Sequence, residues 1–385
     1  MKIIYLHQYF RTPEEIGASR SYYIAKAFCD AGYKVIMITT HNEKNYAKKQ
    51  YEGIEIHYLP IYYSNHLGFW ARIYAFLKYC WQSISILKKV GSDAKFCYAT
   101  STPLTVGWVA LYAWYRFRVP YYFEVRDAWP EIPIALKQLK SIFLQKIAQY
   151  SAAQIYKNAQ KIITLSPPTQ TYLEKKYPQK KILMIPNMAD TQYFQPNFSF
   201  STNEPFIVLY AGTIGYANHL ESLLTIAKEA IEQGKHNLQF WLIGEGKEKE
   251  RLQKNTIQQN LQTVVKWLDP LPKKQLPELY AKVQAIYISF LPHPILEWNS
   301  PNKFFEGLAA GKICFTNTKG WLKNTIEQHN IGAYLPPENP KQSLLTLCTF
   351  AEDYSKVKKG QQNARLLAEK EFSTTLLCQK IIAEL

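Results

Sequence analysis

Acidic charge is in short supply in this 385-residue chain: 30 Asp and Glu face 46 Lys and Arg, a formal net charge of +16. The six aspartates (Asp30, Asp93, Asp127, Asp190, Asp269, Asp353) never come within three residues of one another. That excludes an Asp-x-Asp pair holding a divalent cation beside a phosphate. The six cysteines (Cys29, Cys80, Cys97, Cys314, Cys348, Cys378) are scattered, with no Cys-x-x-Cys pair and no nearby His at metal spacing. A disulfide scaffold and a zinc module are excluded, and the thiols read as reduced in a cytosolic setting. Long apolar runs are missing too. The longest helix-like one, Leu104 to Tyr115, ends at Arg116 and Arg118, short of the roughly 20 residues a bilayer requires. Met1-Lys2 leads straight into Ile3-Ile4-Tyr5-Leu6 without a secretory pattern. The expectation is a cytoplasmic protein, soluble or resting on a membrane without crossing it.

What is present is core-forming material. Hydrophobic residues make up 47% and charged residues 20%, a globular composition, and the length suggests two domains of roughly 150–200 residues. The charge is uneven: residues 1–190 carry 25 Lys and Arg against 12 Asp and Glu, whereas residues 191–385 carry 21 against 18. Aromatics lean the same way, with 21 of the 56 between Tyr51 and Pro130. A basic, aromatic first half suits an anionic partner, whether a membrane surface, a nucleic acid or a phosphorylated substrate. Such a surplus is also common on ordinary soluble enzymes.

Short β-branched or aromatic runs alternate with helical patterns. Strands are expected at Lys2–Leu6, Lys34–Thr39, Ile54–Leu59, Phe96–Thr100, Tyr121–Val125, Lys161–Leu165 and Ile182–Ile185. Helices are expected at Ser19–Ala31, Phe69–Lys89, Pro103–Phe117, Lys140–Asn158 and Thr169–Tyr177, and His41–Lys49 reads as a polar loop. The irregular stretch Thr191–Pro205 reads as a linker, after which strands at Ile207–Ala211, Leu238–Ile243, Val264–Trp267, Ala285–Ser289 and Ile313–Phe315 restart the alternation. Helices fall at His219–Ile231, Lys247–Gln259 and Asn302–Ala310 between them, and Glu371–Leu385 closes the chain. Such alternation argues α/β, with two Rossmann-like domains facing a central cleft. The expected bounds are 1–190, a linker at 191–205, a second domain at 206–365 and a C-terminal helix at 366–385.

Ligands of open parallel sheets sit at the carboxyl ends of strands, so residues that follow strands are the candidates. Gly17 and Arg20 open the first helix, where free N–H groups favour an anion or a sugar hydroxyl; a plain turn accounts for Gly17 as well. Glu124, Arg126 and Asp127 leave one strand together, as a ligand-facing cluster or a salt-bridged corner. Gly212, Thr213 and Gly215 follow one strand of the second domain, and Gly244, Gly246 and Lys247 another. Glycines there bring backbone N–H groups against a diphosphate. In Ser300-Pro301-Asn302-Lys303-Phe304-Phe305-Glu306, Lys303 and Glu306 lie one helical turn apart. The carboxylate can accept both ribose hydroxyls and the lysine can reach phosphate, although an i,i+3 surface pair has the same spacing.

The glycine runs Gly212-Thr213-Ile214-Gly215 and Gly244-Glu245-Gly246, and above all Asn302-Lys303-Phe304-Phe305-Glu306-Gly307-Leu308-Ala309-Ala310-Gly311, resemble those of family 4 glycosyltransferases of the GT-B fold. The opening His7-Gln8-Tyr9-Phe10, with Gly17-Ala18-Ser19-Arg20 and the run Glu124 to Glu131, resembles the bacterial branch that builds O-antigen, capsule or exopolysaccharide, fucosamine-transferase-like members included. The resemblance spans essentially the whole chain. It implies a GT-B architecture whose C-terminal helix crosses back to the first domain, and a hexosyltransferase that uses a nucleotide sugar, usually a UDP-sugar, with retention and without metal or cofactor. Glu306 matches the second, ribose-binding glutamate of the family's pair; Trp298 occupies the position of the first, with Glu297 one residue away. Gly215-Tyr216-Ala217-Asn218 stands where the family carries its diphosphate-clamping Arg and Lys, which makes Lys247 and Lys303 the substitutes.

The resulting expectation is a transferase that moves an N-acetylated or deoxy hexose from a UDP-sugar to a polyprenyl-diphosphate-linked glycan, peripherally on the inner face of the cytoplasmic membrane. Glu124, Arg126, Asp127 and Glu297 are its candidate catalytic residues. Gly17, Gly212, Thr213, Gly215, Gly244, Gly246, Lys247, Asn302, Lys303 and Glu306 are candidates for the donor. Arg20, Trp70 and Trp81 are assigned to the acceptor or membrane side. In the helix Phe69–Lys89, residues Phe69, Trp70, Ile73, Phe76, Leu77, Cys80 and Trp81 recur at helical spacing with cations around them; core packing and a lipid-facing helix both fit. Two other classes remain: a UDP-sugar epimerase of the same plan, and a non-catalytic protein that binds a membrane or nucleic acid through its basic half. Against nucleic acid, the aromatics lie in core-like patterns and no recognition module is evident.

Overall fold

The computed structural model describes residues 1–15, 17, 19–64, 67–199 and 204–385. Ala18 of the Gly17–Arg20 motif and residues 200–203 of the expected linker lie outside the described residues. The chain forms two compact units. Unit 1 comprises Met1–Pro186, Trp298–Ser300 and Cys378–Leu385; unit 2 comprises Asn187–Glu297 and Pro301–Leu377.

In unit 1 the elements run β1 (Lys2–Leu6), α1 (Arg20–Asp30), β2 (Lys34–His41), β3 (Ala47–Tyr51), β4 (Ile54–Pro60), α2 (Phe69–Val90), β5 (Phe96–Thr100) and α3 (Val106–Phe117). They continue through β6 (Tyr121–Val125), α4 (Glu131–Ala135), α5 (Ile142–Asn158), β7 (Lys161–Thr164), α6 (Pro167–Lys176) and β8 (Ile182–Met184). The sheet order is β3-β4-β2-β1-β5-β6-β7-β8, parallel except where β3 pairs antiparallel with β4. Strands β5 and β6 are buried at every position, as the inner strands of a parallel sheet covered on both faces must be. Alternate residues choose the face. Ile4, Leu6, Ile36 and Ile38 join one core with Ala75, Tyr79 and Leu87 of α2, Val109 and Ala113 of α3, and Ile155 and Tyr156 of α5.

Strand β3 corrects the polar loop expected at His41–Lys49. Its residues are mostly exposed and its Lys48 pairs with Glu55 at 2.9 Å. Lysine-bearing edge strands discourage pairing with another chain, and such a strand has no apolar alternation by which to be recognised.

Unit 2 runs β9 (Phe206–Ala211), α7 (Glu221–Glu232), β10 (Leu238–Ile243), α8 (Lys249–Gln258), β11 (Val265–Leu268), α9 (Leu276–Ala281) and β12 (Ala285–Ile288). Next come α10 (Asn302–Ala309), β13 (Ile313–Thr316), α11 (Trp321–Gln328), β14 (Gly332–Tyr334), α12 (Pro340–Ala351) and α13 (Tyr354–Leu367). The last helix, α14 (Thr374–Glu384), starts three residues after its expected beginning and follows a π-helical turn at Ala368–Phe372. The second sheet is wholly parallel, in the order β11-β10-β9-β12-β13-β14. The break between units falls at Pro186–Asn187, ahead of the expected linker. Phe194 of that stretch is buried against Tyr280, ring centroids 5.1 Å apart, and the Arg365 guanidinium donates to the Thr191 and Phe194 carbonyls.

Both units are α/β and Rossmann-like. In each, strand order reverses beside the first strand, between β1 and β5 and between β9 and β12. Loops leaving the carboxyl ends of a reversing pair splay apart and open a crevice, which fixes where the site of each unit must lie.

Candidate functional site

In unit 2 the loops after β9 and β10 interlock through backbone contacts that only glycine permits. Gly212, Gly244 and Gly246 have φ of 143°, 150° and 157°. A Cβ on Gly244 would lie 1.8 Å from the Gly212 carbonyl oxygen, and one on Gly246 2.1 Å from that of Ile214. Backbone bonds from Gly212 N to Ile243 O (3.0 Å) and from Ile214 N to Glu245 O (2.8 Å) lock the loops together. Gly212 and Thr213 remain exposed, so the paired loops form an open shelf. The Tyr210 hydroxyl donates to the Thr213 carbonyl at 2.6 Å from below.

Lys303, in the first turn of α10, lies beneath that shelf. A Cβ at Gly212 would stand 3.3 Å from its Cε and Nζ. The ammonium sits 3.6 Å from the centroid of the Tyr210 ring, a cation–π contact. It is buried, and Nζ has no hydrogen-bond partner among the described residues. Burial pushes the amine down from 10.5 to about 7, opposed by the Glu306 carboxylate one turn on. An amine held this way is short of an anion. Glu306 is half-buried and accepts from the Tyr280 hydroxyl at 3.2 Å.

A polar network that the sequence reading missed fastens the same edge. Asn317, which follows β13, receives the Phe290 N–H at 2.9 Å and donates to Ser222 (3.2 Å) and Ser289 (3.1 Å). Ser222 in turn bonds Tyr287 at 2.9 Å. All four side chains are buried. Asn317 and Ser289 both follow strands, the signal by which they could have been found. A depression of about 660 Å³ lined by Asn197, Ala281, Lys282 and Gln284 opens at the amino edge, where Gln284 precedes β12, and holds none of the candidate residues.

The other donor-side candidates have separate surroundings. Lys247 is exposed and precedes α8 rather than lying in it. Asn302 is half-buried at the start of α10, and Gly215 caps the short helical turn Tyr216–Asn218. The Glu297 carboxylate lies against Gly320 at the start of α11, where an added Cβ would meet Oε2 at 2.9 Å. The neighbouring Trp298 ring packs on Tyr172 in unit 1, centroids 5.1 Å apart, and its carbonyl accepts from Ser166 at 2.6 Å.

In unit 1 the carboxyl edge changes two assignments. Glu124 and Arg20 are both buried. The guanidinium donates twice to Glu124 Oε2, at 3.0 and 2.9 Å, and also to the carbonyls of Ile185 (3.0 Å) and Pro186. Tyr98 donates to the same carboxylate oxygen at 2.8 Å. Arg20 therefore lies inside unit 1 and not on the acceptor or membrane side, and Glu124 is its internal partner through Oε2, with Oε1 buried and without a hydrogen-bond partner among the described residues. The period of β6 turns alternate residues inward, and Glu124 takes the α1 face. Arg126 and Asp127 lie past the strand end and are half-buried. Burial raises the Asp127 carboxyl above its ordinary value, opposed by Arg126, whose backbone N–H donates to Ser101 at 3.0 Å.

His7, the first residue of the His7–Phe10 motif, follows the carboxyl end of β1. It is buried, and that burial, followed by Arg126 and Arg11, holds its imidazole well below 6.5 and hence neutral. Its Nδ1 and both amide atoms of the buried Gln8 have no hydrogen-bond partner among the described residues. Gly17 is exposed, φ 137°, against the Arg11 side chain. Trp70 and Trp81 are exposed on α2.

Known families match both parts of the chain. The family model described as "Glycosyl transferase 4-like domain" matches residues 17–188, and that described as "Glycosyl transferases group 1" matches residues 193–367. No curated protein matches the chain in sequence. Among solved structures it is similar to sucrose-phosphate synthase from Thermosynechococcus elongatus, with a TM-score of 0.80 at 16% identity, covering 100% of this chain and 98% of that one. HepE of Anabaena in complex with UDP gives 0.69 at 16%, covering 100% and 99%. WaaG, a glycosyltransferase involved in lipopolysaccharide biosynthesis, gives 0.68 at 14%, covering 99% and 98%. The fold is that of the GT-B enzymes. With both of its family models matched, the chain belongs to the glycosyltransferases.

Proposed function

We propose that this glycosyltransferase is a retaining hexosyltransferase that takes its sugar from a UDP-sugar, with an N-acetylated or deoxy hexose as donor. Its acceptor is a polyprenyl-diphosphate-linked glycan of bacterial surface polysaccharide synthesis, met on the inner face of the cytoplasmic membrane, in the manner of the O-antigen and capsule branch it resembles. The observation that carries the donor half is Lys303, a buried amine without a hydrogen-bond partner under a shelf of glycine backbone. HepE, similar over its whole length, is described in complex with UDP and with UDP-glucose, and WaaG acts in lipopolysaccharide synthesis; both support the reading.

In the reaction the bond between C1 and the diphosphate oxygen breaks and a bond from C1 to the acceptor hydroxyl oxygen forms. Negative charge grows on the departing diphosphate oxygen, which takes up the hydroxyl proton as it leaves. Lys303 from below, Lys247 from the rim and those loop N–H groups that Ile243 and Glu245 do not already hold offset that charge without a metal. Glu306 takes the ribose hydroxyls. Neutral His7, with Arg126 and Asp127, forms the acceptor side, and Glu297 stands near the sugar end of the second crevice.

The test is transfer from a panel of UDP-sugars to a lipid-diphosphate acceptor by Lys303→Met and Glu306→Ala. Lys303→Met is expected to lower turnover by about 10²–10³, the usual cost of removing one charge-stabilising group, and Glu306→Ala, which removes a ribose contact, to lower turnover at sub-saturating donor by about tenfold or more. Unchanged turnover in both variants overturns the donor site. Conversion of donor alone, with no acceptor present, would mark an epimerase instead.

A further inference from the structure

The Phe69–Val90 helix divides its side chains between a face the fold covers and one it leaves exposed. Ala75, Tyr79, Ser83 and Leu87 of α2 are buried. Trp70, Tyr74, Leu77 and Trp81, spaced four, three and four residues apart, form an outer stripe, with Trp70 75% and Trp81 70% exposed. Helix α2 packs on α3, and α3 on α5, so the three lie side by side on one face of the sheet. On α5 a second stripe includes Phe143, 71% exposed, and Tyr150. Large aromatics at this exposure on adjoining helices exceed what scattered surface residues explain.

Charge identifies the partner. Helices α2, α3 and α5 contain no Asp or Glu at all, against four Lys or Arg in α2, one in α3 and two in α5. Lys88, Lys89 and Lys146 are exposed. A helix that joins two parallel strands runs antiparallel to them, so Trp70 and Tyr74 at the start of α2 and Phe143 at the start of α5 stand toward the carboxyl edge of the sheet, and the α2 stripe runs on past mid-helix to Trp81. The carboxyl edge is that of His7, Arg126 and Asp127. An apolar stripe rimmed by cations without anions matches a layer with acyl chains inside and anionic headgroups outside.

We infer that the outer faces of α2, α3 and α5 form one docking platform for an anionic bilayer, which holds the acceptor-side edge of unit 1 at the lipid surface. This rests on the membrane-acceptor reading above and extends it from one helix to three, with α5 as a second anchor that the sequence pattern did not disclose.

The experiment is vesicle flotation of the full chain with phosphatidylglycerol/phosphatidylcholine vesicles and with phosphatidylcholine alone. Trp70→Ser with Trp81→Ser, Phe143→Ser with Tyr150→Ser, and all four together are compared with the parent. The parent is expected to bind anionic vesicles at least tenfold more tightly than neutral ones and to release at high salt. Each pair should weaken binding, and the four together should abolish it with the melting temperature retained. Should the four-residue variant melt early, Lys88→Glu with Lys89→Glu and Lys146→Glu is expected to give the same loss. Binding that survives every variant overturns the platform, as does a homodimer in light scattering that the same variants dissociate while vesicles go unbound. Binding lost with the α2 pair alone overturns the role of α5. The thermal shift given by UDP is read in parallel: its absence in the parent would remove the donor reading and leave the vesicle result standing.

Discussion

A lysine amine placed inside a protein without an anion costs stability until a ligand supplies the charge. Lys303→Met keeps the volume of the stem and removes the ammonium. It is expected to hold or raise the melting temperature of the ligand-free protein while weakening UDP by at least tenfold, as measured by calorimetry. The pH dependence has a definite sign. With its amine at about 7 in the folded chain and near 10.5 when unfolded, the native state binds fewer protons than the unfolded state between those values. Stability of the parent therefore rises with pH across that window relative to Lys303→Met, and the gap is constant below it. UDP favours the charged amine, so its affinity should fall as pH rises above about 7 and the variant should flatten the profile. The Arg20–Glu124 pair behaves in the opposite way. Removing one partner strands the other inside, at about 3–5 kcal/mol, so Arg20→Met and Glu124→Gln should both melt early, with UDP affinity per folded molecule unchanged.

Among the elements, the glycine loops carry the most exacting requirement. Gly244→Ala would force a methyl to 1.8 Å from the Gly212 oxygen, so the shelf must part; UDP binding is expected to drop at least tenfold while the sheet, followed by far-UV circular dichroism, persists. These loops were legible in the sequence because glycines after strands have a local meaning, and Lys303 because it opens the helix after another strand. The Arg20–Glu124 pair was not legible. Its partners are 104 residues apart, and a charge at a strand end looks the same whether it faces a ligand or a buried guanidinium. The α2 pattern was legible as a helix and ambiguous as to face: its expected stripe joins Trp70 and Trp81, which are exposed, to Cys80, which is buried. Period alone records that apolar residues recur. Which of them are covered depends on α3 and the sheet.

At the scale of the molecule, the uneven charge and the two crevices set the units apart, and the proposed function gives the acceptor to the first and the donor to the second. Residues 1–190 hold most of the surplus positive charge, and three of their helices display it with exposed aromatics. The second unit holds the glycine shelf. No helix among the described residues is long and apolar enough to cross a membrane. This division implies that Arg126→Ala, in unit 1, lowers transfer while leaving UDP affinity within about threefold, a change of no more than about 0.7 kcal/mol. The most direct measurement is UDP titration of the parent and of Lys303→Met by calorimetry in two buffers of different ionisation enthalpy at pH 8. Proton uptake on binding by the parent, lost together with most of the affinity in the variant, is the expected result. Equal affinity and equal proton uptake in the two proteins would contradict Lys303 as the cation that meets the diphosphate.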